Sequence, residues 1–394
     1  MAKVLLTWEG GAYLGHQMLV SSAAAVLHAA GHVVVIVAPA GVPANAAARS
    51  LGLRWETISA PPDEPRAPPG VPWESRATTL WEFGFRSEAL LRDRFHAWDV
   101  VLQREQPDIA FLQAAPFAQL AAHVAGLASV EFGIGFDVPP RQRPFPAFRH
   151  PETFQIPDAV LLEQHLMDRI TRVVGRAAKG RALHDMVSAP LRLVTSIHEL
   201  DHYDGHEDPT RSFVGPLPVA ELGPAGPAWQ RRGPRVLAYV RAHLLHMSSF
   251  LKALAALRGD AVVVCPDAAP EHLAQARTLK LRLHVAPVSL GGLLPAADLV
   301  VSHAGGLMAE ALVRGRPCVA LPSHYEQFMT ALTLKRRKLG VVVNPAEPAS
   351  YERALRHALG DAEIRRNAVA VGMRYRGAED AAAESLRRAA ANVA

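Results

Sequence analysis

The chain has 394 residues, 49% of them hydrophobic and 20% charged, with a formal net charge of +5. That is the balance of a soluble globular protein long enough for two ordinary domains, and it excludes disordered and collagen-like classes. No apolar run approaches the ~18 residues needed to cross a bilayer, so no transmembrane segment is expected.

In chain order, "MAKVLLTWEGG" enters a strand pattern at once, with no basic leader and long apolar core, so no signal peptide is expected. "KVLLTW" reads as a strand, "GHQMLVSSAAAVLHAAG" as a helix ending at Gly31, and "HVVVIVAP" as a second strand. That is a unit of the right length for a right-handed parallel crossover. "PPDEPRAPPGVPW" (61–73) is too rich in proline for a helix or central strand and reads as a surface loop. "PDIAFLQ" (107–113) is a buried strand followed by the Ala-rich helix "PFAQLAAHVAGL". Proline and glycine in "FVGPLPVAELGPAGPAWQRRGP" (213–234) mark a linker. Beyond it the alternation restarts with "RVLAYV", a helix around 243–258, "AVVVC", a helix near 271–279 and "LRLHVAP".

The expected architecture is α/β: two Rossmann-like, doubly wound parallel-sheet domains facing a cleft. Residues 1–212 form an N-terminal domain, 213–234 the linker and 235–377 a C-terminal domain. The tail helix of 378–394 packs back on the first domain or caps the second.

Cys265 and Cys318 sit in apolar runs and read as buried free thiols, consistent with a reducing cytoplasm. No Cys/His spacing resembles a metal site, so no metal is expected. The basic runs "RRGPR" (231–235) and "KRRK" (335–338) lack interleaved aromatics and read as solvated faces, not nucleic-acid patches. The charge is compatible with an anionic substrate or peripheral membrane contact.

Two turns carry chemistry. In "TWEGGAYLGH" a strand ends at Trp8, glycines follow, and His16 opens a helix whose free N–H groups suit an anion. As a base, His16 would need to be neutral at pH 7; the plainer alternative is that it caps or packs. In "LVVSHAGGLMAEALVRGRPCVALPSHYEQ" (299–327) Ser302 and His303 leave a strand, and Gly305 and Gly306 let a ligand approach the backbone. That is a plausible diphosphate cradle, with the His303 imidazole donating beside amide N–H groups. Glu310, one turn into the next helix, is placed to accept from a ribose hydroxyl, and Glu326 and Gln327 to read sugar hydroxyls. The alternative is two ordinary strand ends with carboxylates at helix starts.

"FVGPLP", "LLPAADLVVSHAGGLMAEALVRGRPCVALPSHYEQ" and "KLGVVV" resemble the C-terminal domain of GT-B nucleotide-sugar glycosyltransferases. The resemblance is strongest to the UDP-glycosyltransferase superfamily, including bacterial macrolide- and flavonoid-type enzymes. "WEGGAYLGH…LHAAGHVVVIVAP" resembles the N-terminal end of the same group. The resemblance implies a metal-independent, inverting hexosyltransferase. It would move a sugar from a UDP or dTDP donor to a hydroxyl of a small-molecule or lipid-like acceptor, as in natural-product glycosylation. No cofactor is implied beyond the nucleotide-sugar co-substrate. It implies His16 as the base that deprotonates the acceptor and His303, Gly305 and Gly306 as diphosphate contacts. It also implies Glu310 as the ribose ligand and Glu326 with Gln327 as the donor-sugar pair.

The chain departs from that pattern in several places. The His303-to-Glu310 spacing is one residue short, Leu307-Met308-Ala309 replaces the usual hydroxyl, and Leu19 the usual proline. Gln113 stands where an aspartate commonly orients the histidine. A neutral amide fixes a tautomer but supplies no charge. Val285 takes the place of an aromatic that stacks the base. Arg241, in "AYVRAHL", is expected to supply diphosphate charge that the missing hydroxyls do not. Two other readings stand beside the transferase. One is a UDP-N-acetylglucosamine 2-epimerase-like enzyme, which the short "GGLMAE" spacing suits and "SHYEQ" does not. The other is an inactive homologue with a binding role. An apolar or planar acceptor would meet the 61–85 region with Trp73, Trp81, Phe83 and Phe85, and a second aromatic region, 132–156, with Phe132, Phe136, Phe145 and Phe148; the alternative is that these aromatics are plain core.

Overall fold

The computed structural model describes residues 1–10, 14–58, 74–148, 158–218 and 226–392. The proline-rich stretch 61–73 with Trp73, residues 149–156 of the second aromatic region and residues 219–225 of the linker lie outside them. The chain divides into two compact units, Met1–Ala220 with Glu379–Ala394, and Glu221–Ala378.

The first unit is built on seven parallel strands: β1 (Lys3–Trp8), β2 (Val33–Pro39), β3 (Arg54–Ile58), β4 (Ile109–Gln113), β5 (Ala128–Gly133), β6 (Leu191–Val194) and β7 (Arg211–Phe213). Their order is β3-β2-β1-β4-β5-β6-β7. β1, β2 and β4 are near-continuous apolar runs because helices cover both faces of a parallel sheet, leaving no face for water. Helix Leu14–Ala29 carries the chain from β1 to β2, and helices Glu88–Glu105 and Pro116–Ala125 flank β4.

The second unit has six parallel strands: β8 (Arg235–Tyr239), β9 (Asp260–Val264), β10 (Arg282–His284), β11 (Leu299–Ser302), β12 (Cys318–Ala320) and β13 (Gly340–Val342). Their order is β10-β9-β8-β11-β12-β13. In each unit the strands run outward one way from the first strand and then return to its other side. That reversal opens a crevice beyond the carboxyl ends of β1 and β4, and of β8 and β11, where open α/β sheets bind ligands.

The tail helix Ala378–Ala391 belongs to the first unit. Its Ala382, Ala383, Leu386, Ala389 and Ala390 are buried in one core with Val4, Leu6 and Trp8 of β1 and Ala23, Ala24 and Leu27 of the first helix. Small alanines let the helix lie close to the sheet, and Leu386 supplies the one large anchor, contributing about 1.5–3 kcal/mol. The linker region begins later than its composition implies: Phe213 closes β7, and Leu217 is buried in the same core. Among the described residues no helix is long and apolar enough to cross a membrane. Both cysteines are buried and free, and burial pushes the Cys265 thiol up to about 12, so it is not a reactive thiolate. The two basic runs are exposed, apart from the partly buried Pro234.

Candidate functional site

In the first unit, β1 and β4 end side by side, with Trp8 opposite Gln113 in the ladder. The helix that follows β1 brings His16 over this switch point, half-buried in its first turn. His16 Nδ1 lies 2.8 Å from Gln113 Oε1, so an imidazole N–H donates to the amide oxygen. Gln113 is fully buried, and its Nε2 donates to Asp137 Oδ2 at 2.8 Å. Asp137 also accepts from Ile134 N at 3.2 Å. Sequence reasoning missed Asp137, which stands 24 residues beyond Gln113 in the turn "GIGFD" after β5. The glycines were its signal. Gly133 has φ +154°, and a Cβ there would fall 2.6 Å from Asp137 Oδ2, so only glycine lets the carboxylate fold back under the strand end.

A second carboxyl stands directly after β1. Glu9 accepts from Phe117 N at 2.8 Å, at the start of helix Pro116–Ala125, and from the indole N–H of Trp98. It lines a pocket with Trp8, Pro39, Ile58, Arg94 and Trp98. Burial raises its pKa from 4.5 to about 7, against the Phe117 and Trp98 bonds and the Arg94 charge. The folded form therefore holds a proton that the unfolded chain releases near pH 4.5. Its stabilising contribution is complete below that pH and is lost as the pH rises through about 7, a swing of at most ~3 kcal/mol. Melting midpoints at pH 5 and pH 8 are expected to differ less in Glu9→Gln than in the wild type.

The aromatic residues expected to face an acceptor are mostly core. Phe132, Phe136, Phe145 and Phe148 are each at most 8% exposed, and Phe85 is fully buried. Trp81 and Phe83 are partly buried against the same core, with the Arg169 guanidinium 5.1 Å over the Trp81 ring.

In the second unit β8 and β11 likewise end side by side, and one bond ties their ends: Arg241 N donates to His303 Nε2 at 2.9 Å. His303 Nδ1 in turn donates to the Leu321 carbonyl at 2.7 Å. Burial, with the Arg241 charge adding to it, holds the imidazole below the usual histidine range despite the Leu321 bond. His303 is thus a neutral strut whose two nitrogens both serve the protein, where the sequence reading has it donate to a diphosphate. The cation at this switch point is Arg241, half-buried and bonded to the Tyr239 side chain. Its loop is fastened by Asp267, another residue the sequence did not flag, which accepts from Ala242 N at 2.9 Å and His243 N at 3.2 Å.

Gly305 and Gly306 follow. A Cβ on either would meet nothing within 4 Å, and neither has a positive φ, so nothing in the protein itself demands glycine there. Met308 and Ala309, which stand in place of the usual hydroxyl, are buried in the helix Leu307–Leu312. Glu310 closes its first turn through a bond from its N to Gly306 O at 3.3 Å. Glu326 and Gln327 open helix Tyr325–Arg336. Gln327 Oε1 accepts from Ser323 N at 3.0 Å and Ser323 Oγ at 2.9 Å, leaving its amide N–H groups as the donors it can offer a ligand. Val285 is 43% exposed beside His284.

The two switch points share a device. Ala114 after Gln113 has φ +44°, and Ala304 after His303 has φ +61°. Alanine in the left-handed region costs about 1–2 kcal/mol, and such strain gathers at functional turns. Among the described residues no three His, Cys, Asp or Glu side chains gather in a metal-binding group.

No family model and no curated protein sequence matches the chain. Solved structures do. The chain is similar to the calicheamicin glycosyltransferase CalG4 with a TM-score of 0.70 at 18% identity, over 100% of this chain and 99% of that one. It is similar to the glycosyltransferase VinC in complex with dTDP with a TM-score of 0.69 at 19% identity, over 99% of this chain and 100% of that one. The spinosyn rhamnosyltransferase SpnG, complexed with spinosyn aglycone, superposes with a TM-score of 0.63 at 18% identity, over 100% of this chain and 99% of that one. The chain therefore has the GT-B fold of these glycosyltransferases, two all-parallel α/β sheets in one polypeptide.

Proposed function

We propose that the protein is an inverting glycosyltransferase. It transfers a sugar from a UDP or dTDP donor to a hydroxyl of a small-molecule or lipid-like acceptor. The observation that carries this reading is the His16–Gln113 bond at the first unit's switch point. Donation from Nδ1 leaves Nε2 with a lone pair in the neutral ring, which is what a base for a hydroxyl proton requires.

In the second unit Arg241 supplies positive charge to the departing diphosphate, and the backbone at Gly305 and Gly306 admits it closely. Glu310 accepts from the ribose, Glu326 accepts from sugar hydroxyls, and the Gln327 amide donates to them. In-line attack by the deprotonated acceptor inverts the anomeric carbon, and no metal cofactor is part of the scheme. The neighbours with bound dTDP and aglycone support the two substrate classes.

The test is thermal stability against a panel of nucleoside diphosphates and their sugars, followed by an acceptor screen. A ligand at ~100-fold its dissociation constant stabilises by about 2.7 kcal/mol, a measurable shift in melting midpoint. The shift is expected with uridine or thymidine diphosphates and is expected to shrink in Glu310→Ala. Transfer to an acceptor with inverted anomeric configuration completes the reading. Free sugar released without acceptor, or no nucleotide shift at all, would refute it.

A further inference from the structure

A base that takes a proton becomes an imidazolium, and a neutral amide at its back orients the ring without offsetting that charge. In this protein a carboxylate, Asp137, stands one hydrogen bond further along, behind the amide. We propose that Asp137 is a positioning residue for His16, acting through Gln113, so that His16–Gln113–Asp137 is a relay with its negative charge at the far end. The proposal rests on the reading of His16 as the base.

The bonding admits one arrangement. An ionised carboxylate only accepts, so the amide nitrogen of Gln113 must face Asp137 and its oxygen must face His16. The imidazole is then obliged to carry its proton on Nδ1, and Nε2 is left bare. Asp137 thereby selects the tautomer of a ring it does not touch. Its charge also polarises the amide, making Oε1 a stronger acceptor for Nδ1–H as the ring becomes cationic.

The far end of the relay is fixed rather than pliable. Asp137 is 5% exposed and Gln113 1%, so water does not screen the link between them. Gly133 makes room for the carboxylate, and Ile134 N binds the same oxygen. Gly135 rides over the buried Asp201–Arg211 pair, where a Cβ would fall 2.6 Å from Asp201 Oδ1. Capping Ile134 N alone would give Asp137 a purely structural role. That role does not require Gln113.

The experiment compares wild type, Asp137→Asn, Gln113→Met and the double variant. It reads the His16 ring by nitrogen–proton correlation NMR, and kcat and KM for the acceptor. The wild-type ring is expected as the Nδ1–H tautomer with a downfield Nδ1 proton. Asp137→Asn keeps the shape and removes the charge. It should move that proton upfield and lower kcat ~30-fold, with KM within about twofold. Gln113→Met leaves Asp137 and its bond to Ile134 in place and should abolish the tautomer preference. Adding Asp137→Asn to it should then cost nothing more, because the connection is already cut. An unchanged ring resonance in Asp137→Asn, or an equal loss of kcat in both backgrounds, would overturn the relay. The ring is observed without substrate, so the relay is judged separately from whether sugar is transferred.

Discussion

His16→Ala is expected to lower kcat by about 10²–10⁴-fold while leaving nucleotide affinity unchanged. The expectation follows from where the candidate groups lie. Those assigned to the donor, Arg241, Gly305, Gly306, Glu310, Glu326 and Gln327, all belong to the second unit, whereas His16 belongs to the first. Removing the ring deletes the proton acceptor and no donor contact. It leaves Gln113 Oε1 without its imidazole partner, so a small loss of stability accompanies the kinetic effect. Steady-state kinetics with saturating donor, paired with a nucleotide-induced melting shift, separates the two. A variant that keeps its nucleotide shift and loses turnover fits the assignment. One that keeps both removes His16 from the chemistry.

The second large effect is on stability. Arg192→Met is expected to cost about 3–5 kcal/mol, which for a unit of this size lowers the melting midpoint by roughly 10 °C. Arg192 is fully buried in β6 and holds four groups, among them Thr210 Oγ1, to which its Nη1 donates at 3.3 Å. Its Nε donates to Glu131 at 2.9 Å, its Nη1 to Asp208 at 2.7 Å, and its Nη2 to the Pro139 carbonyl. Removing the cation strands two carboxylates away from water. Adding Glu131→Gln should recover part of the loss, since one of those charges is then gone.

Acid should reveal the same cluster. Burial works against ionisation of Asp208. Bonds from Thr210 and from the Arg141 backbone, with the Arg192 charge, nonetheless hold its pKa at about 2, below 3.8. Its contribution is present above pH 3.8 and lost as the pH falls through about 2. In the variant that loss should begin at higher pH. Calorimetric scans from pH 2 to pH 7 would show it.

This cluster also explains what the sequence concealed. β1, β2, β4, β8, β9, β11 and β12 are legible as uninterrupted apolar runs. β5 and β6 are not, because Glu131 and Arg192 sit in their interiors and cancel one another across the ladder. A pattern read one strand at a time registers two charges and no strand. The candidate site divides similarly. His16 was legible as the residue that opens the first helix, whereas Gln113 was named only through the family resemblance, in the place of an aspartate. Asp137 was not legible, since its role depends on a backward fold that becomes visible only when Gly133 and the end of β4 are side by side. The aromatics of the turn after β5 misled for the converse reason: strand-end phenylalanines look like a binding face, and here they fill the core. For His303, position was readable from sequence, but the two hydrogen bonds that occupy its nitrogens were not.

The tail helix sets an unusual order of events during synthesis. Leu386 and its neighbouring alanines cover apolar residues of β1, the second strand's Ile36 and the first helix, all translated long before them. A nascent chain usually completes its N-terminal domain first. Here the second unit, contiguous in sequence, can close while that face of the first still lacks its cover. That face of the first unit therefore stays uncovered until all of the second unit has been translated. Until then, a chaperone has a defined apolar surface to hold.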